Sequence, residues 1–428
     1  MNIETTDVLI VGAGLAGLSA ALTLQNRGIK YIIIEKENRA GGLCVTDNQD
    51  GFLFDKTGHW LHIKSDTVKK FIDTNVGLTS FDTINRQTTI YSNGVYTQYP
   101  FQNNLFGLPI SVQKECLRGF IEAQSKEKKD CDSFESWILQ NMGEGIAKHF
   151  MIPYNHKLWT IHPSKMDALW CEKYIPVPHI EDIVNGLFAS EINNMGYNAT
   201  FIYPKHDGIQ FVPNTLSKKL IKKIYFNTSL TKIYPEKLAY CGDLQIRYKS
   251  LISSIPLKTL TSLIEHLPYA TYKKNSALIY QSVLYYNIAL NKPLNTDSHW
   301  IYFPERDFIF YRAGFPSNIT KSVVPKNHAS AYVEISYRSN VPPENTWPEV
   351  VSGLLRSKVI NKVSDIIFHQ EKNIPCAYVI FDKNHTNADS ILNDLKERNI
   401  YSIGRYGRWT YNSMQDAIQD GINIANVI

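Results

Sequence analysis

The residues with the plainest chemical potential stand near the N-terminus. Gly12-Ala-Gly14-Leu-Ala-Gly17 places three glycines at the spacing with which a chain turns around a phosphate group. Gly12 allows a tight turn, Gly14 lets the backbone approach a pyrophosphate, and Gly17 lets the following helix pack close to the preceding strand. The free N–H groups and positive dipole end of that helix then face the anion. Glu35 follows Gly12 by 23 positions, where a carboxylate can accept hydrogen bonds from ribose hydroxyls. The chemistry implied is the binding of a dinucleotide.

That chemistry needs a particular scaffold, and the flanking residues supply it. Asp7-Val-Leu-Ile-Val11 is a short apolar run, suited to a buried parallel strand. Leu18 to Asn26 has helical spacing, with Gly28 placed as a C-cap. Tyr31-Ile-Ile-Ile-Glu35 is a second buried strand ending in the acid. Directly after it, Arg39-Ala-Gly41-Gly42-Leu43 offers a second close backbone approach and a cation near the pyrophosphate. An arginine followed by paired glycines at this place is similar to FAD proteins of the amine-oxidase type, so FAD is the expected dinucleotide.

Further along, residues 111–150 read as helical: Val112 to Gln124, Ser133 to Met142, then Gly143 to Phe150. The run Lys126-Glu-Lys-Lys-Asp130 is a solvated loop between them. Thr215 to Lys223 reads as a helix and Leu251 to Pro256 as a strand ending near the cofactor. Residues 277–337 are rich in Tyr, Phe, Ile and Val, with period-two stretches such as Val283-Leu-Tyr-Tyr-Asn-Ile-Ala289, which predicts a mostly antiparallel sheet. Tyr401 to Gly404 and Met414 to Val427 read as a strand and a helix. The expected fold class is α/β: a Rossmann-like FAD-binding domain with a helical insert and an antiparallel sheet lobe. The cofactor domain would be discontinuous (1–95, 200–265 and 380–428), with a helical substrate lobe at 100–198 and the sheet lobe at 266–379.

Composition sets outer limits. With 45 basic and 40 acidic residues the net charge is +5, and no long basic block carries it, so no nucleic-acid partner is expected. Apolar residues at 43% and charged residues at 20% exclude a disordered chain. The six cysteines (44, 116, 131, 171, 241 and 376) have no CxxC or other metal-ligand spacing. No metal and no disulfide framework are expected, and a reducing, cytoplasmic setting follows. Residues 8–23 are apolar, but Glu4 and Asp7 precede them and three glycines interrupt them, so neither a signal peptide nor a membrane span is expected. A homo-oligomer is left open.

Four later motifs complete the picture. They are Gln98-Tyr99-Pro100-Phe101-Gln102-Asn103-Asn104, Pro153-Tyr154-Asn155-His-Lys157-Leu-Trp159, the segment from Tyr302 to Arg312, and Gly404-Arg405-Tyr-Gly-Arg408-Trp409-Thr-Tyr411. By residue type alone, the aromatic and amide groups would serve equally as packed core. In this order, and with the glycine fingerprint, they resemble the UDP-galactopyranose mutase family, and its eukaryotic-type members more than the common bacterial ones. The resemblance implies that Tyr99, Phe101, Gln102, Asn155 and Trp159 hold uridine, and that Asn198 lies near the sugar. It implies that Arg312 grips the diphosphate, with Tyr302, Tyr378 and Tyr411 contacting it and closing the site, while Arg405 lies on the flavin side. His59, in Thr57-Gly58-His59, would tune the flavin and shape the site. Lys36, Leu43, Gly58 and Met414 would join the glycines, Glu35, Arg39 and Arg405 around the cofactor.

The same resemblance implies an isomerase without net redox. Reduced FAD would attack the anomeric carbon of a sugar nucleotide through N5, and the ring would reopen and reclose from pyranose to furanose, most directly UDP-galactopyranose to UDP-galactofuranose. A furanose product would feed cell-surface glycan synthesis. NADPH or NADH would reduce the flavin, with Arg86 matching a family position linked to that reductant. Two departures stand out. The family's second phosphate-side arginine, eight residues after Met166, is here Tyr174, with Lys173 beside it; Lys56-Thr57 replaces a glycine-rich loop. The same chemistry on another NDP-sugar, a flavin amine oxidase or desaturase, and a non-catalytic flavin binder remain alternatives.

Overall fold

The computed structural model describes residues 3–188, 199–339 and 341–428, without the Lys173 side chain. A four-stranded parallel sheet forms the nucleotide-binding core. Its order is Ile400–Ser402, Ser250–Ser253, Val8–Val11, Tyr31–Ile34. Val8, Leu9 and Ile10 have no solvent exposure, as a strand covered on both faces requires. The helix Leu15–Asn26 follows the first strand after the glycine turn. Against it lies the C-terminal helix Met414–Val427, so closely that a Cβ on Gly421 would come within 2.1 Å of the Ser19 hydroxyl. Gly28 takes the left-handed φ of +71° after this first helix.

A second, seven-stranded sheet runs Ile366–Val379, Tyr280–Leu290, Ala329–Tyr337, Arg312–Gly314, Trp300–Tyr302, Thr88–Ser92, Val95–Gln98. All neighbours are antiparallel except Trp300–Tyr302 with Thr88–Ile90. The Thr88–Ser92 and Val95–Gln98 strands therefore hydrogen-bond into this sheet and not into the parallel one. The helices Ile110–Gln124 and Phe134–Ile146 pack where small residues meet: a Cβ on Gly145 would come within 2.3 Å of Glu115 O. A π-turn, Ala147–Met151, then leads into the helix Ile152–Trp159.

One helix is displaced from its sequence expectation. It spans Phe211–Lys218, not Thr215 to Lys223. The Gln25 amide explains its end, donating to Lys219 O (3.0 Å) and accepting from Ile221 N (2.7 Å), so those backbone groups leave the helical ladder. Gly143, with φ +76° and ψ 170°, kinks the chain at the boundary expected between the Ser133–Met142 and Gly143–Phe150 helices, and the chain beyond it is helical through the π-turn. Among the described residues, no helix is long and apolar enough to cross a membrane.

Candidate active site

The two sheets and the helical segment enclose a cavity of about 1190 Å³. That exceeds the roughly 300–1,000 Å³ of a site for one small ligand, and leaves room for a dinucleotide with a second molecule beside it.

One end of the cavity is made of backbone. Gly12 turns with φ +98°, and Gly17 tucks under it: a Cβ there would sit 1.9 Å from Gly12 O. Gly41 and Gly42, both with positive φ, bring the second glycine loop against the first, and Gly41 N donates to Ala13 O at 2.9 Å. Gly14 faces open space, with nothing nearer than 3.9 Å to a built Cβ. Glu35 is buried and oriented, accepting from Ala13 N (2.7 Å) and Glu37 N (3.0 Å). Lys36 and Leu43 lie on the wall here, as does Met414 at the start of the C-terminal helix. Gly17 itself lies behind the wall. Arg39 is drawn off to a neighbouring small cavity, where its guanidinium donates to Asp47 Oδ1 (2.5 Å) and Thr46 O (3.1 Å).

The other end is built of side chains. Arg312 and Tyr302 are cross-strand partners in the large sheet, so both point to one face. Glu334, on the next strand and 1% exposed, grips Arg312 with two bonds: Nε to Oε2 at 2.6 Å and Nη2 to Oε1 at 2.8 Å. Burial disfavours the guanidinium charge, but the Glu334 carboxylate and the surrounding Tyr332, Tyr378 and Tyr311 together outweigh it, so Arg312 stays charged. The fork fixes the side chain and leaves Nη1 for another acceptor. The Tyr302 ring sits 5.4 Å from that of Tyr99 and 5.2 Å from that of Tyr154, and the Arg86 guanidinium lies 4.9 Å over Tyr99.

Between the two ends, Arg405 lies 5.0 Å from the centroids of both Tyr378 and Tyr411, which stack at 6.1 Å. Burial, and then the Arg405 charge, push the His59 imidazole down to about 4, so it is neutral at neutral pH. His59 Nδ1, Arg405 Nε and the Tyr332 hydroxyl are buried with no hydrogen-bond partner. Gly58 and Gly314 make room for Tyr332, whose hydroxyl would lie 2.4 Å from a Cβ on Gly58. Thr57 takes φ +62° in the Lys56-Thr57 loop, a left-handed conformation that favours glycine.

The uridine motifs divide. Tyr99 lines the cavity, but Phe101, Gln102, Asn155 and Trp159 lie behind its wall. Phe101 stacks on Phe150 at 5.0 Å, and Gln102 donates to Pro176 O at 3.2 Å. Asn155 accepts from Trp159 Nε1 (3.1 Å) and donates to Met151 O (2.7 Å). Trp159 in turn packs on Tyr378 and Tyr411, so these residues support the wall. Tyr174 lines the cavity and donates its hydroxyl to Tyr411 O at 2.9 Å. Asn198 lies outside the described residues.

Sequence reasoning missed Glu334, Tyr154 and Tyr332. A signal for Glu334 existed: it is the single carboxylate in the otherwise uncharged run Ala329–Tyr337. A buried charge needs a partner.

The comparisons with known proteins agree with this geometry. Residues 15–428 match the family described as flavin containing amine oxidoreductase. A crystal structure of reduced UDP-galactopyranose mutase superposes with a TM-score of 0.92 at 26% identity, covering 98% of this chain and 95% of that one. UDP-galactopyranose mutase of Mycoplasma genitalium is 24% identical over 264 residues, 56% of this chain and 62% of that protein. dTDP-fucopyranose mutase of Escherichia coli is 27% identical over 173 residues, 38% of this chain and 44% of its own length. The matched stretch thus spans about three-fifths of the first of these relatives and less than half of the second. The site residues fit FAD. The facing glycine loops leave a cradle for a pyrophosphate, Glu35 stands at the ribose position, and the orphaned atoms of His59, Arg405 and Tyr332 cluster where a flavin ring would end the cavity. By its fold, its glycine cradle and a match over nearly its whole length, the chain belongs to the flavin-containing amine oxidoreductase family.

Proposed function

We propose that the protein is a flavin-dependent mutase that interconverts the pyranose and furanose forms of a sugar nucleotide, with UDP-galactopyranose as the first substrate to test. The observation that carries this reading is the Arg312–Glu334 fork, on the same cavity as the glycine cradle. When bound and reduced, FAD would supply a nucleophilic nitrogen, N5, to C1 of the sugar. The chain's own residues bind and orient. The glycine loops and Glu35 would hold the dinucleotide, and Arg312 would take the charge of the departing diphosphate. Tyr302, Tyr378 and Tyr411 line the space between and offer hydroxyl donors. Neutral His59 and unpartnered Arg405 Nε face the flavin side, where an accepting ring atom would satisfy Arg405 Nε and a donating one would satisfy His59 Nδ1. Holding two reactants in one cavity supplies the proximity effect.

Tyr174 bears on which sugar nucleotide is bound. It offers one hydroxyl, already donated to Tyr411 O, in place of a bidentate arginine. The uridine end rests on Tyr99, with Arg86 over its ring, and Arg86 is also the group we assign to NADPH or NADH.

Incubation of dithionite-reduced protein with UDP-galactopyranose, followed by chromatography, tests the reading. A UDP-furanose peak is expected, with no stoichiometric oxidant consumed. A panel of other UDP- and dTDP-sugars separates a changed sugar from a failed mechanism. Hydrogen peroxide formed in step with product would replace the mutase with an oxidase.

A further inference from the structure

Lys157 belongs to one of the recognised motifs, yet the reading above gives it no task. It sits on the helix Ile152–Trp159, three residues after Tyr154 and so on the same face. Its ammonium donates to Phe303 O (2.8 Å), to Glu305 O and to Phe310 O (3.3 Å). An ammonium has three N–H donors, and three backbone carbonyls of one loop receive them. That loop joins the Trp300–Tyr302 and Arg312–Gly314 strands, so it is the turn of the hairpin that carries Tyr302 and Arg312. Phe303 N to Tyr311 O, at 3.0 Å, closes the hairpin at its neck. Tyr154 packs on that neck, with ring centroids 5.2 Å from Tyr302 and 6.4 Å from Tyr311.

We infer that Lys157 is a positioning residue: its ammonium pins the 303–311 turn to the helix and thereby sets where Tyr302 and Arg312 stand in the cavity. The consequence for diphosphate binding rests on the proposed function; the pinning itself does not. The rest of the turn is tied from outside. Glu305 accepts from Asn93 N, and the Arg356 guanidinium meets Asp307 at 2.8 Å and covers the Phe308 ring at 3.9 Å. Phe303, Phe308 and Phe310 anchor the turn's side chains in the apolar core, and Lys157 adds the polar hold on its backbone carbonyls.

The groups facing its ammonium are Glu305 and Asp307 of the turn and Arg356 of the helix Trp347–Arg356, with His156 next to it on its own helix. Burial is the largest influence and pushes the ammonium down to about 7, against the upward pull of Asp307 and Glu305. The hold thus weakens as pH rises through neutrality, because the neutral amine has two donors for three carbonyls.

Amide hydrogen exchange on wild type, Lys157→Met and Lys157→Arg tests the pinning. The turn amides of Phe308 and Tyr311 should exchange about tenfold faster in Lys157→Met, a change equal to about one lost charged hydrogen bond, with the parallel sheet unchanged. Lys157→Arg should restore most of the protection. In wild type alone, protection of the turn, corrected for intrinsic exchange, should fall between pH 6 and pH 9; this reading needs no variant to fold. Unchanged protection in Lys157→Met, or a flat wild-type profile, overturns the inference.

UDP titration supplies the second arm. The ratio of variant to wild-type Kd should be about tenfold at pH 6 and should shrink by pH 9, which a merely destabilised protein would not show. A loosened turn with unchanged UDP affinity removes the link to Arg312. Absence of UDP binding by wild type fails the proposed function while the exchange arm still decides the pinning.

Discussion

The two ends of the cavity are made in different ways. The dinucleotide end is backbone: Gly12, Gly14, Gly41 and Gly42 are useful because they carry nothing, and two loops 30 residues apart in sequence meet as a bare cradle. The sugar-nucleotide end is side chain: Arg312, Glu334, Tyr302, Tyr378 and Tyr411 come from four separate stretches between residues 300 and 411. A backbone cradle tolerates change in its neighbours but no added atom. A side-chain site tolerates small steric change but not a change of chemical type. The contrast can be broken at either end.

The largest effect should come from Gly17→Ala. Its methyl would sit 1.9 Å from Gly12 O, and helix and turn cannot both stay in place. We expect loss of the folded protein, or destabilisation of ~4 kcal/mol or more by urea unfolding. Gly14→Ala is the control with the opposite logic. Its φ is −73°, and no atom lies within 3.9 Å of the added methyl, so the protein alone should be as stable as wild type. The space is filled only when the cofactor is present. Flavin content after purification, and a weakened FAD Kd at unchanged urea midpoint, would sharpen the contrast; equal losses in both variants would break it.

At the other end, Arg312→Lys keeps the charge beside Glu334 and removes the planar fork. The buried carboxylate keeps a cation, so the fold should survive. Turnover should fall about a hundredfold, the scale of one lost donor to developing charge, with flavin absorbance intact. Activity within twofold of wild type would place the leaving group elsewhere.

The same contrast governs what the sequence discloses. The strand, turn, helix and acid of residues 8–35 are adjacent in the chain, and each is recognisable from local rules. The structure places Gly12, Gly14 and Glu35 on the cavity and Gly17 beneath it. Glu334 could not be paired with Arg312 from 22 positions away, because the pairing depends on strand register across the long sheet. Likewise, nothing local tells that the Asn155 amide is spent on Trp159 and Met151, or that Phe101 turns towards Phe150. Motif resemblance finds such residues but does not say which of them face the cavity. The Phe211–Lys218 helix shows the same limit at the level of secondary structure, since its end is set by Gln25, nearly 200 residues earlier.

The smallest effect concerns protons. His59 at the site and His299, just before the Trp300–Tyr302 strand, are both pushed down to about 4, chiefly by burial. His299 accepts from Gln87 N at 3.2 Å, a bond that needs a neutral ring nitrogen. The unfolded chain takes up these protons as pH falls through about 6.5, and the folded chain only near 4. Between those values the unfolded state holds more protons, so stability is lost as pH falls. For the buried His299 the loss is on the order of 3 kcal/mol across the window, at ~1.4 kcal/mol per pH unit. Asp55, raised to about 6 by burial, works in the opposite direction below that pH. The quantity to read is therefore the difference between His59→Asn and wild type, in which Asp55 and His299 cancel. His59 Nδ1 has no partner to lose, and the asparagine amide can replace the ring's bond to the Lys56 backbone, so the variant should lie within ~1 kcal/mol of wild type at pH 7. It should resist urea better than wild type at pH 5, by a margin smaller than the His299 figure because the ring faces the cavity. Equal loss of stability in both proteins between pH 7 and pH 5 would mean that the site histidine is solvated and charged like any on the surface. The flavin end would then lack the dry, neutral imidazole assigned to it.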